Sequence, residues 1–479
     1  MAEITQQLHV VFFPFMAHGH MIPILDIARL FTARGVKTTI ITTPVNLKTF
    51  TNALEHSEKA EGASTIHFEV FELPSNGLPD GCETINQAMK LDKTYNFFMA
   101  VRMLNEQLEQ FLEKTRPTCL VADMFLPWAT ESAAKFNVPR LVFHGFSYFS
   151  LCAEEIVRLY KPYKNVFSDE DTFIIPSLPH EIKMTRLQIS EFVMREATGF
   201  QDALNAFRES ELNSYGVIVN SFYDLEGDYA DFFSKELRRK AWHIGPVSLC
   251  NRNIEDRAQR GGLQAFQDKH ECLTWLNSKQ EKSVIYICFG SLAELNASQL
   301  HEIATGLEAL EQDFIWVVKN EEEKKSQEWL PPGFEQRMGG KGLIVRGWAP
   351  QLLILEHKAI GVFVTHCGWN SILESISAGV PMVTWPSGAE QFYNEQLVTV
   401  VLNVGVPIGA KKWSNVPNAD DFVKRDAIEK ALREVMEGDE AQERRNRVKI
   451  LKEKALKAVE KDGSSYSSLS ALINELRNH

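Results

Sequence analysis

Apolar and polar positions along the first part of the chain alternate as they do in a βαβ unit. An apolar run at residues 10–13 precedes a loop rich in Gly, His and Pro. Apolar residues then recur at helical spacing, at Ile24, Ile27, Ala28 and Phe31. Gly35 is expected to end this helix and the β-branched run 38–43 to form the next strand. Further strands predicted at 119–122 and 140–143 continue the pattern, which favours a parallel sheet covered by helices.

A second series of the same kind follows a polar stretch at residues 241–270, which is expected to contain a linker. The strands predicted after it are 283–289, 314–318, 343–345, 361–364 and 381–384. Helices are expected from about Asn296, Ser371 and Ala389, and in the tail from Arg425 onward. The predicted fold class is therefore α/β, with two doubly wound, Rossmann-like domains that face each other across a cleft.

The expected domain boundaries follow from these patterns. The N-terminal domain is expected at 1–246, a linker at 247–270 and the C-terminal domain at 271–460. Residues 461–479 are expected to form a C-terminal helix, for which packing against the N-terminal domain is one arrangement. Ligands of such folds bind at the carboxyl ends of the strands, so chemistry is expected in the cleft.

Charge and composition narrow the function. The 479 residues include 51 Lys and Arg against 63 Asp and Glu, a formal net charge of −12 that repels nucleic-acid phosphates and anionic lipids. Nucleic-acid binding is thereby disfavoured. The seven cysteines form no C-x-x-C pair, no apolar run is long enough for a membrane span, and the start of the chain lacks a basic signal-peptide region. These features predict a cytoplasmic protein, and we expect a monomer.

The segment from Trp348 to Gln391 carries the strongest chemical signal. Its predicted strand 361–364 ends in T-H-C-G-W-N-S, where a helix is expected to begin. Free backbone N–H groups, the positive end of the helix dipole and the side chains of His366 and Ser371 would suit an anion there. The turn therefore has the properties of a phosphate site.

Other residues of the segment suit the remaining parts of a nucleotide sugar. Gly368 permits close approach of the backbone, and Glu374 can accept hydrogen bonds from a ribose diol. Trp348 offers an aromatic face to a base. Glu390 and Gln391 offer groups that bind sugar hydroxyls. The segment therefore offers candidate binding residues for the base, the ribose, the pyrophosphate and the sugar.

This segment closely resembles the donor-binding signature of plant UDP-dependent glycosyltransferases of the inverting small-molecule class. W-A-P-Q, T-H-C-G-W-N-S-x-x-E, G-V-P and E-Q occur in the order that the family uses. The resemblance implies a GT-B fold, a UDP-sugar as co-substrate and no further cofactor. By position it implies a donor site made of Gly290, Ser291, Trp348, Ala349, Gln351, His366, Gly368, Trp369, Asn370, Ser371, Glu374, Glu390 and Gln391.

The resemblance also distributes roles within that site. Trp348 and Ala349 would bind uracil, with Gln351 and Glu374 at the ribose. The Gly290-Ser291 turn, His366, Asn370 and Ser371 would surround the diphosphate. The transferred sugar would meet Trp369, Glu390 and Gln391.

The identity of the sugar is implied by Gln391, because in this family a closing Gln goes with UDP-glucose. Two departures from the family pattern leave UDP-galactose, UDP-xylose and UDP-glucuronate as alternatives. Phe146 stands where the family usually has a hydroxyl that touches the sugar, and Ser147 is a candidate to replace it. Ser387-Gly388 replaces a bulkier pair just before the sugar-contacting residues.

An acid-base pair is predicted in the first half of the chain. The loop after the first strand carries His18 and His20, and the family's G-H-x-x-P pattern falls on Gly19 to Pro23, which makes His20 the expected base. Asp123 follows the strand 119–122. A neutral imidazole would take the proton from an acceptor hydroxyl, while the carboxylate orients the ring and stabilises the imidazolium. Attack opposite UDP would invert the anomeric centre and give a β-glycoside.

The acceptor is expected to be a small, hydroxylated, lipophilic secondary metabolite, such as a flavonoid or a triterpenoid. Apolar and aromatic residues near the base are candidates for its pocket, although such residues also fill ordinary cores. They are Phe15, Met16, Phe125, His144, Phe146, Phe192 and Phe200.

Two other functions remain open from the sequence. Asp169-Glu170-Asp171 is a D-x-D pattern, by which retaining, metal-dependent transferases hold a divalent ion. It lies in a polar run with no clear strand before it, so a solvated acidic loop is favoured and no metal is expected. A non-catalytic UDP-sugar sensor would keep the nucleotide site without turnover, and the pair His20 and Asp123 argues against it.

Overall fold

The computed structural model describes residues 7–54, 65–194, 199–260, 263–291, 295–318, 329–414 and 422–479. The strands of the first half are β1 (His9–Phe13), β2 (Lys37–Thr42), β3 (Ile66–Val70), β4 (Cys119–Asp123), β5 (Arg140–Phe143), β6 (Thr172–Ile175), β7 (Ile182–Thr185), β8 (Gly216–Val219) and β9 (Ala241–His243). Its helices are α1 (His18–Thr32), α2 (Pro44–Leu54), α3 (Ile85–Lys90), α4 (Thr94–Arg102), α5 (Asn105–Thr115), α6 (Ala129–Ala134), α7 (Tyr148–Tyr160), α8 (Glu191–Met194), α9 (Gly199–Leu212) and α10 (Tyr223–Lys235). Within the described residues, β6 and β7 form an antiparallel pair and the other strands form one parallel sheet, in the order β3-β2-β1-β4-β5-β8-β9.

The second half repeats this architecture. Its strands are β10 (Val284–Cys288), β11 (Asp313–Val318), β12 (Gly342–Arg346), β13 (Ile360–Thr365), β14 (Met382–Thr384) and β15 (Gly405–Pro407). Its helices, with those of the connecting segment, are α11 (Ile254–Gln259), α12 (Leu263–Asn277), α13 (Ala297–Leu310), α14 (Phe334–Arg337), α15 (Gln351–Leu355), α16 (Trp369–Ala378), α17 (Gln391–Gln396), α18 (Arg425–Glu437), α19 (Ala441–Val459) and α20 (Ser464–Arg477). The strands form a parallel sheet in the order β12-β11-β10-β13-β14-β15.

The central strands are buried throughout and mostly apolar because helices cover both faces of each sheet. Every residue of β1, H-V-V-F-F, and of β13, I-G-V-F-V-T, is buried. Capping residues define several helices, as where the side chain of Asn296 accepts a hydrogen bond from the amide of Gln299 at 2.8 Å and starts α13. The prediction of two doubly wound α/β domains is confirmed.

The linker expected at 247–270 contains helical structure. Helix α11 lies within that stretch, and α12 runs across the expected boundary at residue 271. The polar residues that suggested an irregular linker bind neighbouring elements instead: Asn251 donates to Asp26 of α1 at 2.9 Å, and Arg257 pairs with Glu356 at 2.5 Å. The connecting segment is therefore a helical element packed between the two domains.

The C-terminal helix α20 returns to the N-terminal domain. Its apolar residues Leu469, Leu472, Ile473 and Leu476 are buried in the same cluster as Ile27 and Phe31 of α1. The preceding helix α19 contacts α16 in the second domain and α10 in the first. Both domains are therefore joined by the connecting segment and by the C-terminal helices. Among the described residues, no helix has the length and apolar character that crossing a bilayer requires.

Candidate active site

His20 and Asp123 form a hydrogen-bonded pair at the carboxyl edge of the first sheet. Strands β1 and β4 are parallel neighbours, with Phe13 opposite Ala122, so the residues that follow them lie side by side. His20 stands in the first turn of α1, and its Nδ1 lies 2.7 Å from Oδ2 of Asp123. The carboxylate is fully buried, and its Oδ1 accepts the amide hydrogen of Phe125 at 3.1 Å. The predicted pair is thus brought together, with Nδ1 oriented by a fixed carboxylate.

The surroundings of His20 strengthen it as a base. Burial by itself lowers its pKa, but the charge and hydrogen bond of Asp123, together with the charge of Glu390, outweigh burial and raise the pKa above its usual value. The imidazole side chain remains 17% exposed. Burial also raises the pKa of Glu390 to about 7. Glu390 therefore lies within electrostatic range of His20, and burial favours its neutral form more than it would for an exposed carboxyl group.

Aromatic rings surround the imidazole of His20. The ring centroids of Phe15 and Phe125 lie 6.0 Å and 5.5 Å from it. Phe98 stacks on Phe15 at 5.5 Å, and Phe207 meets Phe125 edge to face at 5.4 Å. This arrangement gives the base a flat, apolar surrounding that suits a planar acceptor ring.

The remaining candidates for the acceptor pocket lie in different surroundings. Met16 is buried in the same core cluster as Phe15. His144 is occupied by a buried contact, because its Nε2 lies 2.5 Å from Oε2 of Glu211. Phe146 lies beside it at 6.1 Å, and Phe192 packs edge to face on Trp413 of the other domain at 5.5 Å. Phe200 is in α9, and its side chain lies outside the described part of the chain.

The donor-site candidates all lie at the carboxyl edge of the second sheet. Trp348 follows β12, the Gly290-Ser291 turn follows β10, His366 follows β13, and Glu390 follows β14. Since β10 pairs with β13, and β13 with β14, these loops are neighbours. This edge faces the first domain: Asn86 of α3 donates to the carbonyl of Ser291 at 2.9 Å.

The predicted phosphate turn is built around His366. A Cβ atom at Gly290 would come 2.5 Å from Cε1 of His366, and one at Gly368 would also collide with the ring. Both positions therefore need glycine for the imidazole to lie between them. Gly368 is the N-cap of α16, and among the described residues no side chain caps that helix. Its first N–H groups remain available to an anion.

The candidate ribose residues form one hydrogen-bonded group. Gln351, the first residue of α15, donates from Nε2 to Oε2 of Glu374 at 2.7 Å and to the hydroxyl of Ser371 at 3.3 Å. The hydroxyl of Tyr286 in turn donates to Oε1 of Gln351 at 3.2 Å. The other oxygen of Glu374 is bonded to Arg260, a residue for which the sequence gave no role. The carboxylate is thus held from both sides.

Trp348 is half-buried between the domains. The ring of His18 lies 5.1 Å from its indole, so His18 faces the donor domain while His20 faces Asp123. Ala349 is buried directly after it. A nucleobase that stacks on Trp348 would therefore bind next to the loop that carries His20, the predicted general base.

Two candidate residues at the sugar end of the site have buried side chains. Trp369 is buried, and its Nε1 donates to the carbonyl of Asn220 at 2.7 Å, so its ring joins the two domains. Ser147, the candidate to replace the missing hydroxyl at Phe146, is fully buried, caps α7 and donates to Asn394 at 3.0 Å. Both side chains are enclosed by packing.

Gln391 is oriented by the residues that depart from the family pattern. Its Oε1 accepts the amide hydrogens of Ser387 at 2.9 Å and of Gly388 at 3.1 Å, together with the Ser387 hydroxyl at 3.1 Å. The amide nitrogen of Gln391 can therefore donate a hydrogen bond to a ligand. Next to it, Glu390 accepts from Nδ2 of Asn394 at 3.1 Å. The two residues therefore present a donor and an acceptor at the carboxyl edge of β14.

The D-x-D pattern forms an acidic surface loop. Asp169 pairs with Arg186 at 2.9 Å, and Asp171 accepts the amide hydrogens of Phe167 and Ser168 at 3.1 and 2.9 Å. Among the residues that the structure describes, no three His, Cys, Asp or Glu side chains are grouped as a metal site requires. The two aspartates thus have structural partners of their own.

Sequence reasoning missed several residues of the cleft. Phe98 and Phe207 extend the aromatic surrounding of the base, and their only signal was their apolar character. Asn86 and Asn220 bond across the domains, and Arg260 binds Glu374. Their partners are distant in the sequence, so no local pattern could have indicated them.

Comparison with known proteins agrees with this geometry. The family model described as UDP-glucoronosyl and UDP-glucosyl transferase matches residues 7–451. Scopoletin glucosyltransferase of Nicotiana tabacum is 55% identical over 98% of both chains. UDP-glucose flavonoid 3-O-glucosyltransferase 7 of Fragaria ananassa is 53% identical over 98% of this chain and 96% of its own. The crystal structure of Glycyrrhiza uralensis UGT73P12, complexed with glycyrrhetinic acid 3-O-monoglucuronide, has a TM-score of 0.93 and 41% identity, and covers 99% of this chain and 96% of its own.

Proposed function

The chain belongs to the UDP-glucoronosyl and UDP-glucosyl transferase family and is a UDP-glycosyltransferase of GT-B fold, and from that premise we propose that it transfers glucose from UDP-glucose to a hydroxyl of a lipophilic plant metabolite, with inversion and without a metal. The observation that carries the proposal is the 2.7 Å hydrogen bond between His20 and Asp123 beside an aromatic surrounding. A flavonoid or a related planar phenol is the proposed acceptor class, with a triterpenoid as the second.

The proposed reaction begins with deprotonation of the acceptor. The ring of His20 donates Nδ1–H to Asp123, so Nε2 carries the lone pair that accepts the proton of the acceptor hydroxyl. The oxygen attacks the anomeric carbon from the face opposite UDP, and the bond from that carbon to the phosphate oxygen breaks. Asp123 stabilises the imidazolium that results. An α-linked donor therefore gives a β-glycoside.

The second domain is proposed to stabilise the leaving group. Negative charge develops on the β-phosphate of UDP as the bond breaks, and the uncapped start of α16 and the ring of His366 can neutralise it. Trp348 would stack on uracil, and Glu374 would accept from the ribose hydroxyls. The amide nitrogen of Gln391 and the carboxyl of Glu390 would bind glucose hydroxyls.

The preference for glucose rests on two lines of support. Gln391 is held by three hydrogen bonds, so its amide nitrogen has a defined direction for recognition of a hydroxyl. The flavonoid relative with 53% identity is named for UDP-glucose. UDP-galactose, UDP-xylose and UDP-glucuronate are the competing donors of the test below.

An acceptor and donor screen tests the proposal. The purified chain is incubated with each of the four UDP-sugars and a panel of coumarins, flavonoids and triterpenoids, with and without EDTA, and the products are identified by mass spectrometry. We expect glucosides, unchanged yield in EDTA and a β-anomeric proton signal by NMR. Loss of activity in EDTA or an α-linked product would support the retaining, metal-dependent alternative instead.

Substitution of the base provides the control. His20→Ala should abolish transfer while UDP still binds, whereas His301→Ala on the exposed face of α13 should leave both unchanged. If the wild-type protein binds UDP but transfers no sugar to any acceptor, the alternative of a non-catalytic UDP-sugar sensor is supported instead.

Location and assembly are proposed separately. We expect a cytoplasmic monomer, in keeping with the net charge of −12 and the cysteine spacing. A fluorescent fusion in leaf cells and light scattering of the purified chain check these two expectations.

A further inference from the structure

A single guanidinium connects the two domains beside the expected ribose site. Arg260, directly after α11, donates from Nε to Oδ2 of Asp26 on α1 at 2.8 Å. The same guanidinium donates from Nη1 to Oε1 of Glu374 on α16. The three side chains are 11%, 2% and 4% exposed, so this bridge is shielded from solvent.

The bridge is supported at both ends. Asp26 also accepts a hydrogen bond from Nδ2 of Asn251 at 2.9 Å, which fixes the carboxylate on α1. On the other side, Oε2 of Glu374 accepts from Gln351 at 2.7 Å. The planar guanidinium suits this task, because its rigid N–H groups can serve two carboxylates in fixed directions.

Glu374 keeps the capacity to bind a diol within this arrangement. An ionised carboxylate offers about four acceptor positions. Arg260 and Gln351 use one position on each oxygen, which leaves a further position on each for the two ribose hydroxyls. A buried carboxylate that loses its cationic partner is strongly disfavoured, so without Arg260 the side chain would turn out of this orientation.

We propose that Arg260 is a positioning residue of the donor site, which aims the carboxylate of Glu374 at the ribose diol and ties it to the helix that carries His20. This inference rests on the proposed use of a UDP-sugar. Asp26 and His20 lie on the same helix α1, so the bridge also connects Glu374 to the helix that carries the proposed base.

Binding of UDP and of 2′-deoxy-UDP to Arg260→Gln tests the inference by calorimetry. The wild type should prefer UDP, because only UDP offers both hydroxyls to Glu374. Arg260→Gln should weaken UDP binding by about ten-fold and reduce the preference over 2′-deoxy-UDP, because the misdirected carboxylate no longer reads the diol. In turnover, the KM for UDP-glucose should rise while kcat stays within about two-fold.

Three further variants separate positioning from folding. Arg260→Lys keeps the positive charge but lacks the planar guanidinium, so its preference for UDP over 2′-deoxy-UDP should lie between those of the wild type and Arg260→Gln. Asp26→Asn should lower the preference in the same direction, because it loosens Arg260 from the first domain. Arg257→Gln on the same segment breaks an ion pair with Glu356 at 2.5 Å and should leave the preference unchanged.

The outcomes of the test are distinguishable. Equal loss of affinity for UDP and 2′-deoxy-UDP in Arg260→Gln, or a preference that persists unchanged, would overturn the positioning role while the proposed function stands. A wild type that binds neither nucleotide would overturn the proposed function itself. Should Arg260→Gln fail to fold, Asp26→Asn and Arg260→Lys carry the same comparison.

Discussion

Nδ2 of Asn370, in the first turn of α16, donates a hydrogen bond to the carbonyl of Gly19 at 2.8 Å, so α16 is bonded to the residue before His20, the proposed general base. Its Oδ1 accepts weakly from Asn220 at 3.4 Å. The amide expected at the diphosphate therefore also joins the domains. The nucleotide site proposed at α16 and the placement of His20 are therefore linked through the side chain of Asn370.

The hydrogen bond between His20 and Asp123 predicts a specific pH response. Asp123→Asn removes the negative charge that stabilises the imidazolium, so the pKa of His20 falls and the acidic limb of kcat/KM moves to lower pH. The rate on the plateau should fall by about a thousand-fold or more, because the imidazolium formed during attack is no longer stabilised. The pH profile of glucosyl transfer measures both changes.

Asp171→Asn is the matched control for this variant. Asp171 lies in the acidic surface loop, so its substitution should alter neither the acidic limb of the pH profile of kcat/KM nor the rate on its plateau. An acidic limb that stays in place in Asp123→Asn would show that the titrating group is not His20.

The close approach of Gly290 to His366 predicts that even a methyl group is not tolerated there. Gly290→Ala should displace the imidazole and lower kcat/KM for UDP-glucose by about a hundred-fold, since small misplacements of phosphate-binding groups have large kinetic effects. Gly340→Ala provides the control: its φ of 80° resembles the 72° of Gly290, but a Cβ there meets no atom within 4 Å. Both variants share the backbone strain, and only the first should lose activity. Equal activity of the two would contradict the proposed role of His366.

The aromatic surrounding of the base predicts an effect on the acceptor alone. Phe98→Ala and Phe207→Ala remove rings that pack around Phe15 and Phe125. Each should raise the KM for a phenolic acceptor by about ten-fold through lost apolar contact and leave the KM for UDP-glucose unchanged. Phe68→Ala, where the ring packs on Phe50, should change neither constant. A rise in the donor KM would place these rings in the nucleotide site.

Packing of the C-terminal helix on the first domain predicts a large stability effect far from the cleft. Leu472→Ala should lower the free energy of unfolding by about 2 to 5 kcal/mol, because the fully buried side chain leaves a cavity. Leu456→Ala on α19, where the side chain is 41% exposed, should cost less than about 0.5 kcal/mol. Denaturant titration followed by fluorescence compares them. Similar losses in both variants would show that α20 does not belong to the core of the first domain.

The sequence predicted the fold because its signals are local. The mostly apolar strands β1 and β13 and the amphipathic helices between strands appear as periodicities within a few residues, and they specify parallel sheets covered by helices. The pair His20 and Asp123 could be expected for a related reason: in a parallel sheet, residues that follow neighbouring strands meet at one edge. The segment from Trp348 to Gln391 predicted a nucleotide-sugar site in a different way, through its resemblance to the donor-binding signature of the family.

Tertiary structure alone decided which side chains remain free for chemistry. Trp369 and Ser147 have residue types that suit a sugar site, yet packing between the domains encloses both. Arg260 appeared to belong to a polar linker, but it binds Asp26 and Glu374, which lie far from it in sequence and in different domains. Periodicity indicates the environment of a residue within its own helix or strand, whereas these contacts depend on how the two domains meet.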